Sequence, residues 1–173
     1  MAGGSHPRNR RISSQHPVVT TAPEIRAATV ADARALAELR WEFRAGRDPA
    51  VEEHQAFVDR CADWMARELA DTSWRAWVAL HEGRIVGQVW VHLIHKIPNP
   101  IGERDRHAYL SNLYVQPSAR GGVGTALLET VLEWARANGV DRIVLWPSKR
   151  SVTLYQRHDF RRDFDVMELP LKS

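Results

Sequence analysis

One cysteine, Cys61, stands in a chain of 173 residues. That excludes an internal disulfide and any metal site built from several thiolates. Cys61 itself reads as a small buried residue on a helix, with a catalytic thiol as the minor alternative. No apolar run approaches about 18 residues, so no membrane span is expected. No secretory signal is visible. Lysine is scarce: Lys96, Lys149 and Lys172 are the only ones, and arginine supplies the remaining positive charge. Acid is missing from residues 1–23, which hold Arg8, Arg10 and Arg11. Those arginines account for the whole formal charge of +3, so the rest of the chain is neutral and offers no basic face for nucleic acid. Residues 1–23 are expected to be a disordered basic tail, because they lack the apolar helical face that a transit peptide needs. Residues 24–173 are expected to form one soluble, cytoplasmic domain, since 44% hydrophobic and 26% charged residues suit an ordinary core and surface.

Periodicity orders the elements. Residues 24–29 predict a first strand, after which Thr29 caps a helix with Asp32 as its capping-box partner. Ala33, Leu36, Ala37 and Leu39 form the inward face of that helix. Asp48–Pro49 predicts a second helix start, followed by Val51, Val58, Cys61, Met65 and Leu69 at helical spacing. Trp74, Ala76, Val78 and Leu80 alternate as a strand, Glu82–Gly83 makes a tight turn, and residues 84–97 return as its hairpin partner. After a loop, residues 107–115 predict another strand. A long helix over 124–138 has Leu127, Leu128, Val131, Trp134 and Ala135 inward and Asn138–Gly139 as its stop. A buried strand at 141–146, a short helix at 151–158 and a last strand at 160–169 complete the order β-α-α-β-β-β-α-β-α-β. The expected fold class is α/β, with a mixed parallel and antiparallel sheet and helices on both faces. The strand–helix–strand unit around the long helix should be a parallel, right-handed crossover.

The segment "PSARGGVGTALLE" places Gly121, Gly122 and Gly124 between a strand and a long apolar helix. Glycine weakens helices and is useful where backbone must turn sharply or meet something closely. A strand, a glycine loop and a helix N-terminus form an anion site, because the first-turn N–H groups point outward at the positive end of the helix dipole. Arg120 adds a bidentate donor. A Walker loop requires Lys–Ser/Thr after its last glycine, whereas Thr125–Ala126 follow here. A dinucleotide fingerprint requires glycine where Leu127 stands, and an acid where Trp146 and Pro147 stand.

Two stretches carry a family resemblance: "LSNLYVQPSARGGVGTALLETVLEWARANG" and "VLWPSKRSVTLYQRHDF". With the element order, they make residues 24–169 resemble the GNAT family of acyl-CoA-dependent N-acetyltransferases. The family's pyrophosphate loop has the form Arg/Gln-x-x-Gly-x-Gly/Ala. Gly122 and Gly124 take its glycine positions, while its arginine position falls on Ala119 and Arg120 lies one residue closer. In the family's second signature Leu154, Tyr155 and Phe160 match, Ser148 replaces an Asn, Ser151 an Ala and Asp159 a Gly.

The resemblance implies transfer of acetyl from acetyl-CoA to a primary amine, by direct attack through a tetrahedral intermediate. Acetyl-CoA is then the cosubstrate, held by Arg120, Gly121, Gly122, Val123, Gly124 and Thr125 at its diphosphate. Leu113, Tyr114 and Val115, with Ser148 and Ser151, would hold its pantetheine. Tyr155 matches the tyrosine that protonates the departing thiolate. The base is left open: Tyr109 and Ser111 occupy the strand positions where the family often has Glu or His, and His107, Glu103 and Asp105 lie just before them. Tyr155, Ser111 and His107 are the catalytic candidates. His92 and His95 face opposite sides of a strand, so no metal is expected. Trp41 and Trp90 are candidates for the acceptor pocket, and Glu42, Glu52 and Glu53 for holding a cationic acceptor. The expected partner is a small-molecule amine such as an antibiotic, polyamine or amino-acid derivative. A protein N-terminus or lysine, or a catalytically weak acyl-CoA sensor, is the alternative. The exposed hairpin edges and family habit make a homodimer a further expectation.

Overall fold

The computed structural model describes residues 23–71, 73–102, 104–162, 167, 169 and 171. Five strands form one sheet in the order β1-β2-β3-β4-β5: β1 (Glu24–Ala27), β2 (Trp74–His81), β3 (Arg84–His95), β4 (Arg106–Val115) and β5 (Arg142–Val144). The first four are antiparallel to their neighbours, and β5 lies parallel to β4. The parallel pair flanks α3 (Val123–Ala137), which is the crossover read from the sequence.

Strand alternation divides the core in two. On one face Trp77, Ala79, Val89, Val91 and Leu110 meet Leu127, Leu128 and Val131 of α3. On the other, Ala76, Val78 and Trp90 meet Leu36 and Ala37 of α1 (Ala33–Ala45) and Val58 and Met65 of α2 (His54–Ala70). The sheet is therefore covered on both faces. A buried glutamine ties it to α1: Gln88 Nε2 donates to the Leu36 carbonyl at 3.2 Å, and Trp90 Nε1 donates to Gln88 Oε1 at 2.8 Å.

The turn leading into α1 is locked by Asp32. Its carboxylate accepts two bonds from the Arg26 guanidinium, at 2.7 and 2.8 Å, and one from the Thr29 N–H at 2.7 Å. The Arg26 hydrogen bonds, ahead of the Thr29 donors, hold the Asp32 carboxyl down at about 2. The folded value lies below the unfolded one, so the stabilisation is complete above about pH 4 and fades as pH falls from about 4 to 2. Allowing for the exposed side of Arg26, Asp32→Asn should cost about 1–2 kcal/mol near neutral pH. Urea unfolding at pH 7 and pH 2.5 checks this: the deficit should shrink markedly at the lower pH.

Three expectations change. The second helix starts at His54 with Glu53 as N-cap, not at Asp48–Pro49. Asp48 instead pairs with Arg44 at 3.6 Å, and Val51 is fully exposed ahead of the helix, with no apolar surface to cover. The strand at 141–146 is shortened to Arg142–Val144. The strand expected at 160–169 falls partly outside the described residues, and those described, 160–162, 167 and 169, carry no strand pairing. Residues 1–22 also lie outside the described residues. Among the described residues no helix is long and apolar enough to cross a membrane.

Candidate active site

The site begins with a defect in β4. Gln88 pairs with Tyr114 and Trp90 with Ser111, so Asn112 and Leu113 together oppose Val89. This is a β-bulge, and Asn112 within it adopts the left-handed conformation, φ 54°. Pairing between β4 and β5 ends at Tyr109↔Val144, while β4 runs on to Val115 against β3. The two parallel strands therefore part, and the β5-facing edge of β4 is left open. A cavity of about 800 Å³ occupies the opening.

The head of α3 forms one wall. Gly121 and Gly122 have φ of +131° and +106°, backbone that side chains with a Cβ rarely adopt. Gly122 is the N-cap, and no side chain caps the helix. The first-turn amides are thus without an intrahelical partner, as at any uncapped helix start. Gly122, Gly124, Thr125 and Arg120 line the cavity; Gly121 does not, and Val123 is turned into the core.

The short helix α4 (Val152–Gln156) forms the facing wall. Its Tyr155 is 7% exposed, with its ring edge-on to Phe160 at 5.4 Å. The hydroxyl makes no hydrogen bond among the described residues, and Tyr155 lines the cavity. Burial pushes the phenol up to about 12, so it is a fully protonated donor near neutral pH. Ser148 and Ser151 line the cavity beside it and bond each other, Oγ to Oγ at 3.0 Å. Asp159, at the glycine position of the second signature, takes the left-handed conformation a glycine would, φ 63°.

Ser111, Leu113, Tyr114 and Val115 line the cavity from β4. His107 does not: it pairs with Ile94 and Arg142, before the strands part. Asp105 belongs to a separate hollow, where its Oδ1 accepts from the Asn99 N–H. Glu103 lies outside the described residues. Trp90 is buried against Trp64 and Trp74, and Trp41 packs on His54 and Phe57, so neither borders the cavity. Glu52 is engaged by Arg60. Glu42 does line the cavity, but both its oxygens accept from Gln116 Nε2, at 3.0 and 3.1 Å. Cys61 stays a half-buried core residue whose thiol burial pushes up, which makes it a poor nucleophile.

Sequence reasoning missed the α1 wall. Arg40, Phe43 and Arg44 of α1 and Arg47 in the turn that follows it all line the cavity. Their spacing was visible, but charge on a helix face ordinarily signals only solvent.

The parted parallel strands, the uncapped glycine-headed helix and Tyr155 thus border one cavity. Comparison with known proteins gives the class. The Acetyltransferase (GNAT) family model matches residues 33–160. An aminoglycoside N(6')-acetyltransferase type 1 from Stenotrophomonas maltophilia is 36% identical over 124 residues, covering 70% of this chain and 73% of that protein. A GCN5-related N-acetyltransferase structure from Ralstonia eutropha JMP134 superposes with a TM-score of 0.71 at 28% identity, covering 87% of this chain and 99% of that one. A predicted acetyltransferase from Clostridium acetobutylicum, solved with acetyl-CoA, shares the fold with a TM-score of 0.70 at 22% identity, covering 87% and 97%. The chain belongs to the GNAT acetyltransferase family and is an acetyltransferase.

Proposed function

We propose that the chain transfers the acetyl group of acetyl-CoA to the primary amine of a small molecule. The observation that carries this reading is one cavity lined by Gly122, Gly124 and Thr125 at the head of α3, by the open edge of β4 and by Tyr155, whose hydroxyl makes no hydrogen bond among the described residues. The residues present suit CoA. The amides of Gly122, Gly124 and Thr125 with Arg120 would take the diphosphate. The exposed backbone of Leu113 to Val115, with Ser148 and Ser151, would pair with the pantetheine amides. The nitrogen of the neutral amine then forms a bond to the thioester carbon, the carbon–sulfur bond breaks, Tyr155 gives its proton to the departing thiolate, and the proton lost from the amine nitrogen passes through solvent to restore the phenol. A phenol pushed up to about 12 remains a proton donor throughout the working range.

The named substrate class of the Stenotrophomonas relative makes an aminoglycoside one acceptor to test, alongside polyamines, amino acids and peptides with a free N-terminus or lysine. The full chain is mixed with acetyl-CoA and each amine, and released thiol is titrated with a chromogenic disulfide while product mass is read. Amine-dependent thiol release with a matching acetylated product is the expected result. A second reading, an acyl-CoA sensor, is favoured by one observation: the cavity's described lining has no histidine, and its carboxylate, Glu42, is already bonded. Tight acetyl-CoA binding with no thiol release from any amine would select the sensor.

A further inference from the structure

The α1 wall of the cavity is cationic beyond what the described acids balance. Arg40, Arg44 and Arg47 stand there with Phe43 between them. Arg44 is paired with Asp48, but both partners are largely exposed. Arg47 lies over the Phe43 ring at 4.2 Å, and no described carboxylate pairs with it. Arg40 is half-buried, donates to the side-chain oxygen of Asn112 at 3.0 Å, and likewise has no described carboxylate partner. Burial first, with Arg44 and Arg47 adding, lowers its hold on its proton, although a guanidinium stays charged. A half-buried cation beside two more is an arrangement that an incoming anion relieves. The one carboxylate of this wall, Glu42, is occupied by Gln116.

Position separates Arg40 from the expected diphosphate site, while Arg47, over the Phe43 ring that packs on Tyr114 at 5.2 Å, lies nearer the end of β4. α1 packs on the sheet face opposite α3. Arg40 reaches the bulge residue Asn112 in the middle of β4, whereas Arg120 and the glycines follow the end of that strand. The bulge lies just beyond the last β4–β5 pair, Tyr109↔Val144, on the open stretch of β4, which places Arg40 on the α1 side of the edge where the thioester is expected.

Resting on the acetyltransferase reading above, we infer that the acceptor carries an anionic oxygen group, a carboxylate or phosphate, which Arg40 and Arg47 bind while its amine faces the open β4 edge. Acidic amines are then the substrates, and polycations such as aminoglycosides and polyamines are repelled by the same wall. Phe43 offers an apolar surface next to the anion site.

The test uses the full chain with CoA present and measures binding by calorimetry, independently of turnover. The probes are N-acetylphenylalanine, its neutral amide, and kanamycin; phosphoethanolamine against ethanolamine forms the phosphate arm. The acid of at least one pair should bind about tenfold or more tighter than its neutral partner, as charge-assisted bonds to arginine imply. Arg47→Gln, at an exposed position, should cut that preference to about threefold or less; Arg40→Gln should do the same and Arg40→Lys should restore part of it. Equal affinity for acid and neutral partner in both pairs, or tighter binding of kanamycin, overturns the inference. So does an unchanged preference in the variants accompanied by weakened acetyl-CoA binding, since the arginines would then serve the cosubstrate. Failure of every amine to release thiol would instead overturn the acetyltransferase reading, and the calorimetry would still decide what the α1 wall binds.

Discussion

Tyr155→Phe is expected to lower kcat by about 100-fold while leaving the Kd for acetyl-CoA within about twofold. Removal of a general acid that acts only as the thiolate departs weakens the transition state and not the ground state. The fold should tolerate the change. The hydroxyl has no described hydrogen-bond partner to strand, and the ring keeps its packing on Phe160, so stability should move by less than about 1 kcal/mol. Stopped-flow thiol release, paired with equilibrium unfolding, separates the two. The pH dependence carries its own sign. The phenol lies above its ordinary value, at about 12, so its protonated form is lost only at the alkaline extreme. The wild-type kcat should therefore show no fall owing to Tyr155 between about pH 7 and pH 10. A kcat unchanged in Tyr155→Phe would remove the phenol from the chemistry.

Gly122→Val should weaken acetyl-CoA binding by at least about 100-fold. The residue has φ +106° and is the N-cap of α3, so a β-branched side chain must either strain the backbone or move the helix start. Nothing lies within 4 Å of a Cβ built at this position, so the clash is with the chain's own conformation and with any ligand against the amides. Either response misaligns several N–H groups together. Leu127, Leu128 and Val131 remain buried beneath, so the helix itself should persist. Calorimetric titration with acetyl-CoA checks the prediction; Gly122→Ala should fall between wild type and valine.

These effects depend on features that the sequence disclosed unevenly. The glycine loop was legible because few side chains survive two successive residues with positive φ. The hairpin at Glu82–Gly83 and the stop at Gly139 were legible for the same reason, with φ of 50°, 74° and 67°. The inward faces of α1 and α3 followed from helical spacing, because Leu36, Ala37, Leu127 and Leu128 cover a sheet that has two buried faces. The start of α2 was misplaced since Asp–Pro is a good local start, yet local preference yields where no apolar surface waits to be covered. The tryptophans needed tertiary information: Trp90 sits on the α1/α2 face, and three indoles cluster there rather than at the cavity. The bulge at Asn112 left only an asparagine as its trace. The arginines of α1 and of the turn after it were spaced three and four apart in the sequence, but their meaning came from the parted strands opposite them, which no local pattern reveals.

If amides at the head of α3 grip the CoA diphosphate and direct its sulfur to Tyr155, a crystal structure of the chain with CoA will show it. Diphosphate oxygens are expected within about 3 Å of the N–H groups of Gly122 to Thr125, pantetheine along the open edge of β4, and sulfur within hydrogen-bond reach of the Tyr155 hydroxyl. A diphosphate bound away from those amides, or a sulfur on the far side of the cavity from Tyr155, would contradict it.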